Sequence, residues 1–256
     1  MSSEAPQGYR YHNPNEADPS LNTFEVVPSI AEDGDFTALA ADYQAIEYAV
    51  SQEMYSGYFS PEQIAQTVNP DNPRLVSQQA KCLSEAADAG VQNYLHARIA
   101  VPPLSPGLGQ YVTGIAHVEY DMSGGLHRRV PRLTRRAESP QAADISAIFV
   151  RPTFLGGNDI DLQGNGFGSA LTFSLLDKIP DDNMPLIVRA FPINREVQPL
   201  LRKFGFHVVD LGSAAVKLFN TQTFNRDQYR GPTRGELRQQ LVDTAPWLAH
   251  REPIEG

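Results

Sequence analysis

Two kinds of residue in this chain have the type and spacing to do chemistry: a glycine run that can hold an anion, and carboxylates that can take a proton. The run Gln163-Gly164-Asn165-Gly166-Phe167-Gly168 follows a β-branched apolar segment, Ile145 to Val150, which stops at Pro152. It leads into Phe167, Ala170, Leu171 and Leu175 at helical spacing, so a glycine-rich turn opens an amphipathic helix. The first turn of a helix leaves amides unpaired and carries partial positive charge, and residues without Cβ let an anion approach those donors. The pattern predicts a phosphate cradle, although glycines before a helix also serve as plain turn residues. Among the carboxylates, Asp144 stands six residues before Val150 and is expected on the same strand face. Glu119 is odd-phased with Tyr111, Thr113, Ile115 and His117. Each has a structural reading beside the chemical one: a cap on the turn before the strand for Asp144, and a solvated strand face for Glu119.

The elements that must position these groups follow from periodicity. Asp35 precedes Phe36, Leu39, Ala40, Tyr43, Glu47, Val50 and Met54, one face of a helix. Ser60-Pro61-Glu62 starts a short second helix, and residues 72–89 form a third, closed by Gly90. Residues 94–101 and 110–121 read as an antiparallel pair joined by a Pro/Gly loop. After the central strand and the glycine helix come a strand over 185–191 and a short helix to Lys203 with Pro199 in its first turn. A hairpin around Gly212-Ser213 then joins 206–211 to 214–219. Residues 1–22 lack either period and read as a mobile arm, 23–219 as the domain, and 220–256 as an extension anchored by Trp247.

Two blocks of this order resemble the GNAT superfamily of acyl-CoA-dependent N-acyltransferases. Ile148, Val150 and Pro152 match its strand signature, and Gln163, Gly166 and Gly168 match its Q/R-x-x-G-x-G/A turn. Asn194 with Val197, Leu200, Lys203, Gly205 and Phe206 is similar to a later block of the family. The resemblance implies a mixed α/β fold, a mostly antiparallel twisted sheet flanked by helices, and acetyl-CoA as co-substrate; the six histidines show no HxH or HExxH spacing, so no metal is expected. It implies that the amides of Gly164, Asn165, Gly166, Phe167, Gly168 and Ser169, with Gln163, hold the pyrophosphate. The edge of Ile148, Phe149 and Val150 would pair with the pantetheine arm, with the thioester near the strand end, where a backbone N–H from the Phe149 to Val150 region would stabilise the oxyanion, and Asn194 would contact the cofactor or simply cap its helix. Asp144 falls where one branch of the family carries its catalytic glutamate. Tyr43, Glu47, Tyr48, Tyr55 and Tyr58 surround the helices that border the acceptor site in the family. The tyrosine that often protonates the leaving thiolate is replaced by Leu201, and the loop from Thr153 to Asp161 is longer than usual. The implied activity is acetyl transfer to a primary amine on a small molecule or peptide. The alternative is an acyl-CoA-binding module without turnover.

Whole-chain properties narrow the partners. With 256 residues, a formal charge of −9 and 41% hydrophobic composition, the chain is expected to be globular and cytoplasmic, with no nucleic acid or membrane partner. A homodimer stays open. The single cysteine, Cys82, excludes an internal disulfide and a cysteine-based zinc site, and its helical setting suggests a buried thiol. Arg128, Arg129, Arg132, Arg135 and Arg136 crowd one loop, as a solvated segment or as a partner for phosphate.

Overall fold

The computed structural model describes residues 8–16, 18, 21–29, 34–88, 94–100, 110–120, 142–152, 161–190, 197–219 and 222–254. Through them runs one nine-stranded sheet in the order β7-β8-β6-β5-β4-β3-β2-β1-β9. The strands are β1 (Tyr9–His12), β2 (Thr23–Pro28), β3 (Tyr94–Ala100), β4 (Gln110–Tyr120), β5 (Ala143–Val150), β6 (Pro185–Ala190), β7 (His207–Leu218), β8 (Gln222–Thr233) and β9 (Glu252–Pro253). Every neighbouring pair is antiparallel except β5 and β6. A strand–helix–strand connection produces that parallel pair, because the helix α4 (Phe167–Leu176) lies between them in the chain.

The sheet is covered on both faces. On one, α4 and α6 (Arg234–Thr244) bury Ile145, Ala116, Val118, Phe167, Leu171, Leu237 and Leu241, and Trp247 closes the layer. On the other, α1 (Thr37–Tyr55) and α3 (Pro73–Asp88) pack Phe36, Tyr43, Ile46, Val50, Val76 and Leu83 on Val112 and Ile115. Asp35 Oδ1 accepts from Thr37 N at 2.9 Å and opens α1. A capping box between Ser60 and Gln63 opens α2 (Pro61–Ala65). The short α5 (Val197–Lys203) has Pro199 in its first turn, where the missing N–H costs least.

Several expectations are corrected. Residues 1–22 are not an arm throughout: Tyr9–His12 pairs with β2 and β9, and Tyr11 is 0% exposed against Ser174. The hairpin is not at Gly212-Ser213, which sits inside the 12-residue β7 where the register with β8 slips between Asp210 and Ala214. The chain reverses after Phe219, at φ 51, and β8 then inserts between β6 and β7. The polar composition past Asn220 hid that strand, since alternation with charged residues reads as a loop until a neighbour on each side is known. Cys82 is exposed rather than buried.

Strand parity is also corrected, by a bulge. Across β4 and β5, His117 pairs with Ala147 but Val118 pairs with Ile145, so Ser146 is the extra residue. Ile145, Ile148 and Val150 therefore pack on the α4 side, whereas Phe149 packs with α1. Asp144 alternates with Ile145 and lies on the α1 side, opposite Val150 rather than beside it.

Candidate functional site: a fork between two parallel strands

The bulge has a second effect, on the far edge of β5. The β5–β6 ladder covers Ala143, Asp144 and Ile145 against Leu186, Ile187 and Val188, and no pairing with β6 is present beyond Ile145 among the described residues. From Val188 to Ala190, β6 follows β8 instead. The two strands therefore part like a fork, and the segment Ile148-Phe149-Val150 is paired on its β4 side by Ala116, Ile115 and Gly114. An edge left in this way presents backbone donors and acceptors to any extended group that enters.

The glycine turn stands at the mouth of the fork. Gly164 and Gly166 have φ values of 81° and 92°, the left-handed region where a side chain would be strained. Gly166 is the N-cap of α4, and the first helical bond runs from Ala170 N to Gly166 O at 2.9 Å. For the amides of Gly164 to Ser169 no backbone acceptor is present among the described residues. The turn is held from beneath as well as by its own residues. Buried Asn13 donates from Nδ2 to Asn165 O at 2.9 Å, and a Cβ on Gly166 would meet the Trp247 ring at 2.8 Å. Gly166 is thus glycine for packing and turn reasons, while a Cβ on Gly168 would meet only Val150, at 3.6 Å.

Gln163 and Asp161 shape the approach to the turn. Asp161 Oδ1 accepts from Gln163 N at 2.8 Å, and its carbonyl accepts from Asn165 Nδ2 at 2.8 Å. Gln163 Nε2 donates to Glu53 Oε2 at 3.1 Å, and Arg151 donates to Asp42 at 3.5 Å and to Val112 O at 3.0 Å. Helix α1 therefore lies along the strand end and the turn together. Phe167 is buried against Phe24, with ring centroids 4.6 Å apart, so its side chain anchors α4 while its amide stays in the first turn.

At the base of the fork Asp144 is 3% exposed and ion-paired with Arg189 of β6. A second guanidinium, Arg226 of β8, lies close by. Its pKa is lowered from the ordinary value, first by burial and then by Arg189, while Asp144 and the Tyr55 hydroxyl act to raise it. Glu119 pairs with Asp144 across β4 and β5, so two sequence candidates stand opposite each other. Asn194 and Arg128 to Arg136 lie outside the described residues. Leu201 is buried in α5. Asn13, Trp247 and Arg189 are absent from the sequence candidates. Trp247 showed only as an apolar anchor of the extension, and Arg189 as a cation inside an otherwise apolar strand, a setting that demands a partner.

Glu47, on the sheet-facing side of α1, is partly exposed but enclosed enough that desolvation pushes its carboxyl up from 4.5 to about 7. A carboxyl raised on folding holds its proton more tightly in the native state. Its contribution to stability is therefore complete below about pH 4.5 and lost as pH rises through 7. We expect Glu47→Gln to gain about 3 kcal/mol relative to wild type between acid and alkaline pH, measured by denaturant unfolding across that range. A difference that stays flat with pH would show that the carboxyl is not desolvated.

No family model and no curated protein matches the chain. Solved structures do. The paia N-acetyltransferase of Thermoplasma acidophilum, in complex with coenzyme A, matches with a TM-score of 0.49 and 10% identity, over 82% of this chain and 98% of that one. An uncharacterized Bacillus halodurans protein matches at 0.48 and 10%, over 96% and 99%. An acetyltransferase of the GNAT family from Bacillus cereus matches at 0.40 and 12%, over 82% and 97%. The strand order and the fork stand on this chain's own registers. What they define is a mixed, mostly antiparallel α/β protein whose one parallel pair opens beside a glycine turn.

Proposed function

We propose that this chain is an acyl-CoA-dependent N-acyltransferase, moving an acetyl group from acetyl-CoA to a primary amine by direct attack in a ternary complex. The observation that carries it is the fork: among the described residues β5 leaves β6 after Ile145, and the edge left without that partner leads to amides of α4 with no backbone acceptor. A ligand with an amide-bearing arm and a diphosphate matches both halves. The amides of Gly164 to Ser169, with Gln163, would hold the diphosphate by charge-assisted bonds at a helix N-terminus. The pantetheine arm would then run back along Val150, Phe149 and Ile148 toward the base of the fork. Because the cradle lies beyond Val150, we place the thioester toward Ser146 rather than in the Phe149 to Val150 region that the resemblance implies. Backbone donors there would stabilise the developing oxyanion.

The acceptor must lose a proton before it attacks. An amine with pKa near 10.4 is mostly protonated at pH 7, and removing that proton costs about 4.6 kcal/mol. Asp144 and Glu119 stand at the base of the fork as the sequence candidates for the task, with Asp144 already bound to Arg189. A second reading, an acyl-CoA-binding module without turnover, draws on that ion pair and on buried Leu201, which has no proton to give a leaving thiolate. The test is acetyl-CoA consumption against a panel of small amines and peptides, with CoA affinity measured by calorimetry on the same protein. Turnover on at least one amine is expected. Tight CoA binding without turnover on any would leave the module, and no CoA binding would remove both readings.

A further inference from the structure

On helix α1, Tyr43, Glu47, Ser51 and Tyr55 recur at every fourth residue and so form one row along the helix. Both ends of that row are anchored. Tyr43 donates from its hydroxyl to Leu95 O of β3 at 3.1 Å, and its ring meets Tyr94 of β3 at 6.3 Å. Tyr55 acts on Arg226 of β8 beside the Asp144–Arg189 pair, and its ring packs 5.2 Å from Phe219. The row therefore crosses the sheet from β3 to the base of the fork. Its twelve residue steps span about 18 Å, and the three strand spacings from β3 to β6 take about 14 Å. Glu47, one turn beyond Tyr43, lies between the two anchored ends of that row, on the helix that packs on β4 and β5. Helix α1 packs on both β4 and β5, and Phe149 closes the same layer.

We propose that Glu47 is the general base of the acyl transfer, taking the proton from the acceptor ammonium as the amine enters from the α1 side of the fork. This rests on the acyltransferase reading. One proton passes from the ammonium nitrogen to the Glu47 carboxylate. The freed nitrogen pair then forms the N–C bond at the thioester carbonyl, the C–S bond breaks, and the second nitrogen proton leaves with the thiolate as CoA thiol. The products are the amide, CoA thiol and one proton, which Glu47 releases to water through its exposed side.

The surroundings suit a proton acceptor better than an ion pair does. Burial alone raises the Glu47 carboxyl, to about 7, and among the described residues it has no ion-pair partner. Its own row presents Tyr43 and Tyr55. From β3 come Tyr94 and His96, the latter hydrogen-bonded to Ser29 Oγ at 3.1 Å and held neutral by burial, with its pKa lowered to about 4. From β4 come His117, stacked on Tyr94 at 3.8 Å, and the register position of Glu119; from β5 comes Asp144. Arg74, Lys81, Glu85 and Asp88 of α3, and Glu62 of α2, are exposed.

The experiment compares wild type, Glu47→Gln and Glu47→Asp as full chains, with an amine on which the wild type turns over. Glu47→Gln should lower kcat/KM for the amine about 10²-fold at pH 7 and leave CoA affinity in place, with a melt no lower than that of wild type. Its deficit should shrink toward high pH, where the acceptor is already neutral, and the wild-type limb near pH 7 should disappear. Glu47→Asp, which keeps a carboxylate, should recover most of the loss. Wild-type kcat/KM with an intact limb in Glu47→Gln overturns Glu47 alone, as does an equal deficit in Glu47→Gln and Glu47→Asp when both fold. A wild type that binds CoA yet acetylates no amine overturns the acyltransferase reading and this inference together.

Discussion

Gly168→Trp is expected to raise the Kd for CoA about 100-fold, or about 2.7 kcal/mol, while the protein stays folded. A Cβ at Gly168 meets only Val150, at an ordinary 3.6 Å, so the backbone accepts a side chain there. The indole then projects from the first turn of α4 beside the edge of β5, across the path a diphosphate must take to the amides. Gly166 is a poor place for the same test. Any Cβ there runs into Trp247 and the left-handed φ of 92°, so loss of binding would be confounded by loss of structure. Calorimetric titration of CoA into Gly168→Trp, with a thermal melt as control, decides the matter. Unchanged affinity in a folded variant would mean that the turn is only a turn.

Asp144→Asn is expected to destabilise the protein by about 3 kcal/mol, because it leaves the Arg189 guanidinium beside Arg226 without its carboxylate. For a chain of this size that is a drop of about 6–12 °C in Tm, read by calorimetry. The pair joins β5 to β6 at Asp144, one residue before their ladder ends, so its loss loosens the base of the fork. Activity per folded molecule is expected to fall less than in Glu47→Gln. A variant that melts like wild type but loses about 10²-fold in kcat/KM would return the proton-accepting role to Asp144.

Local signals carried the strand–turn–helix unit. Ile145 to Val150 reads as a strand because it is β-branched and apolar and stops at Pro152. The glycines at 164 and 166 read as a turn because positive φ is cheap only without a Cβ. The faces of α1 and α4 were readable for a similar reason: helical spacing is a property of neighbouring residues. What failed were inferences that step across distance. Parity along β5 placed Asp144 with Val150, and a single bulged residue, Ser146, reversed it; nothing in the local composition marks a residue as the one its partner strand skips.

By itself, then, the sequence determined the periodic elements around the fork, the glycine turn and the apolar faces that must be buried, since each depends on side chains a few positions apart. Only the tertiary structure decided that β8 lies between β6 and β7, that the Tyr9–His12 strand and Trp247 sit under the turn, and that Asp144 meets Arg189. It also decided that Glu47, one polar residue on a helical face, sits on the side of α1 that crosses the sheet, where desolvation raises its carboxyl. These are pairings between residues tens to hundreds of positions apart. They depend on which strands become neighbours and how many atoms enclose a group, and no window of the chain contains either quantity.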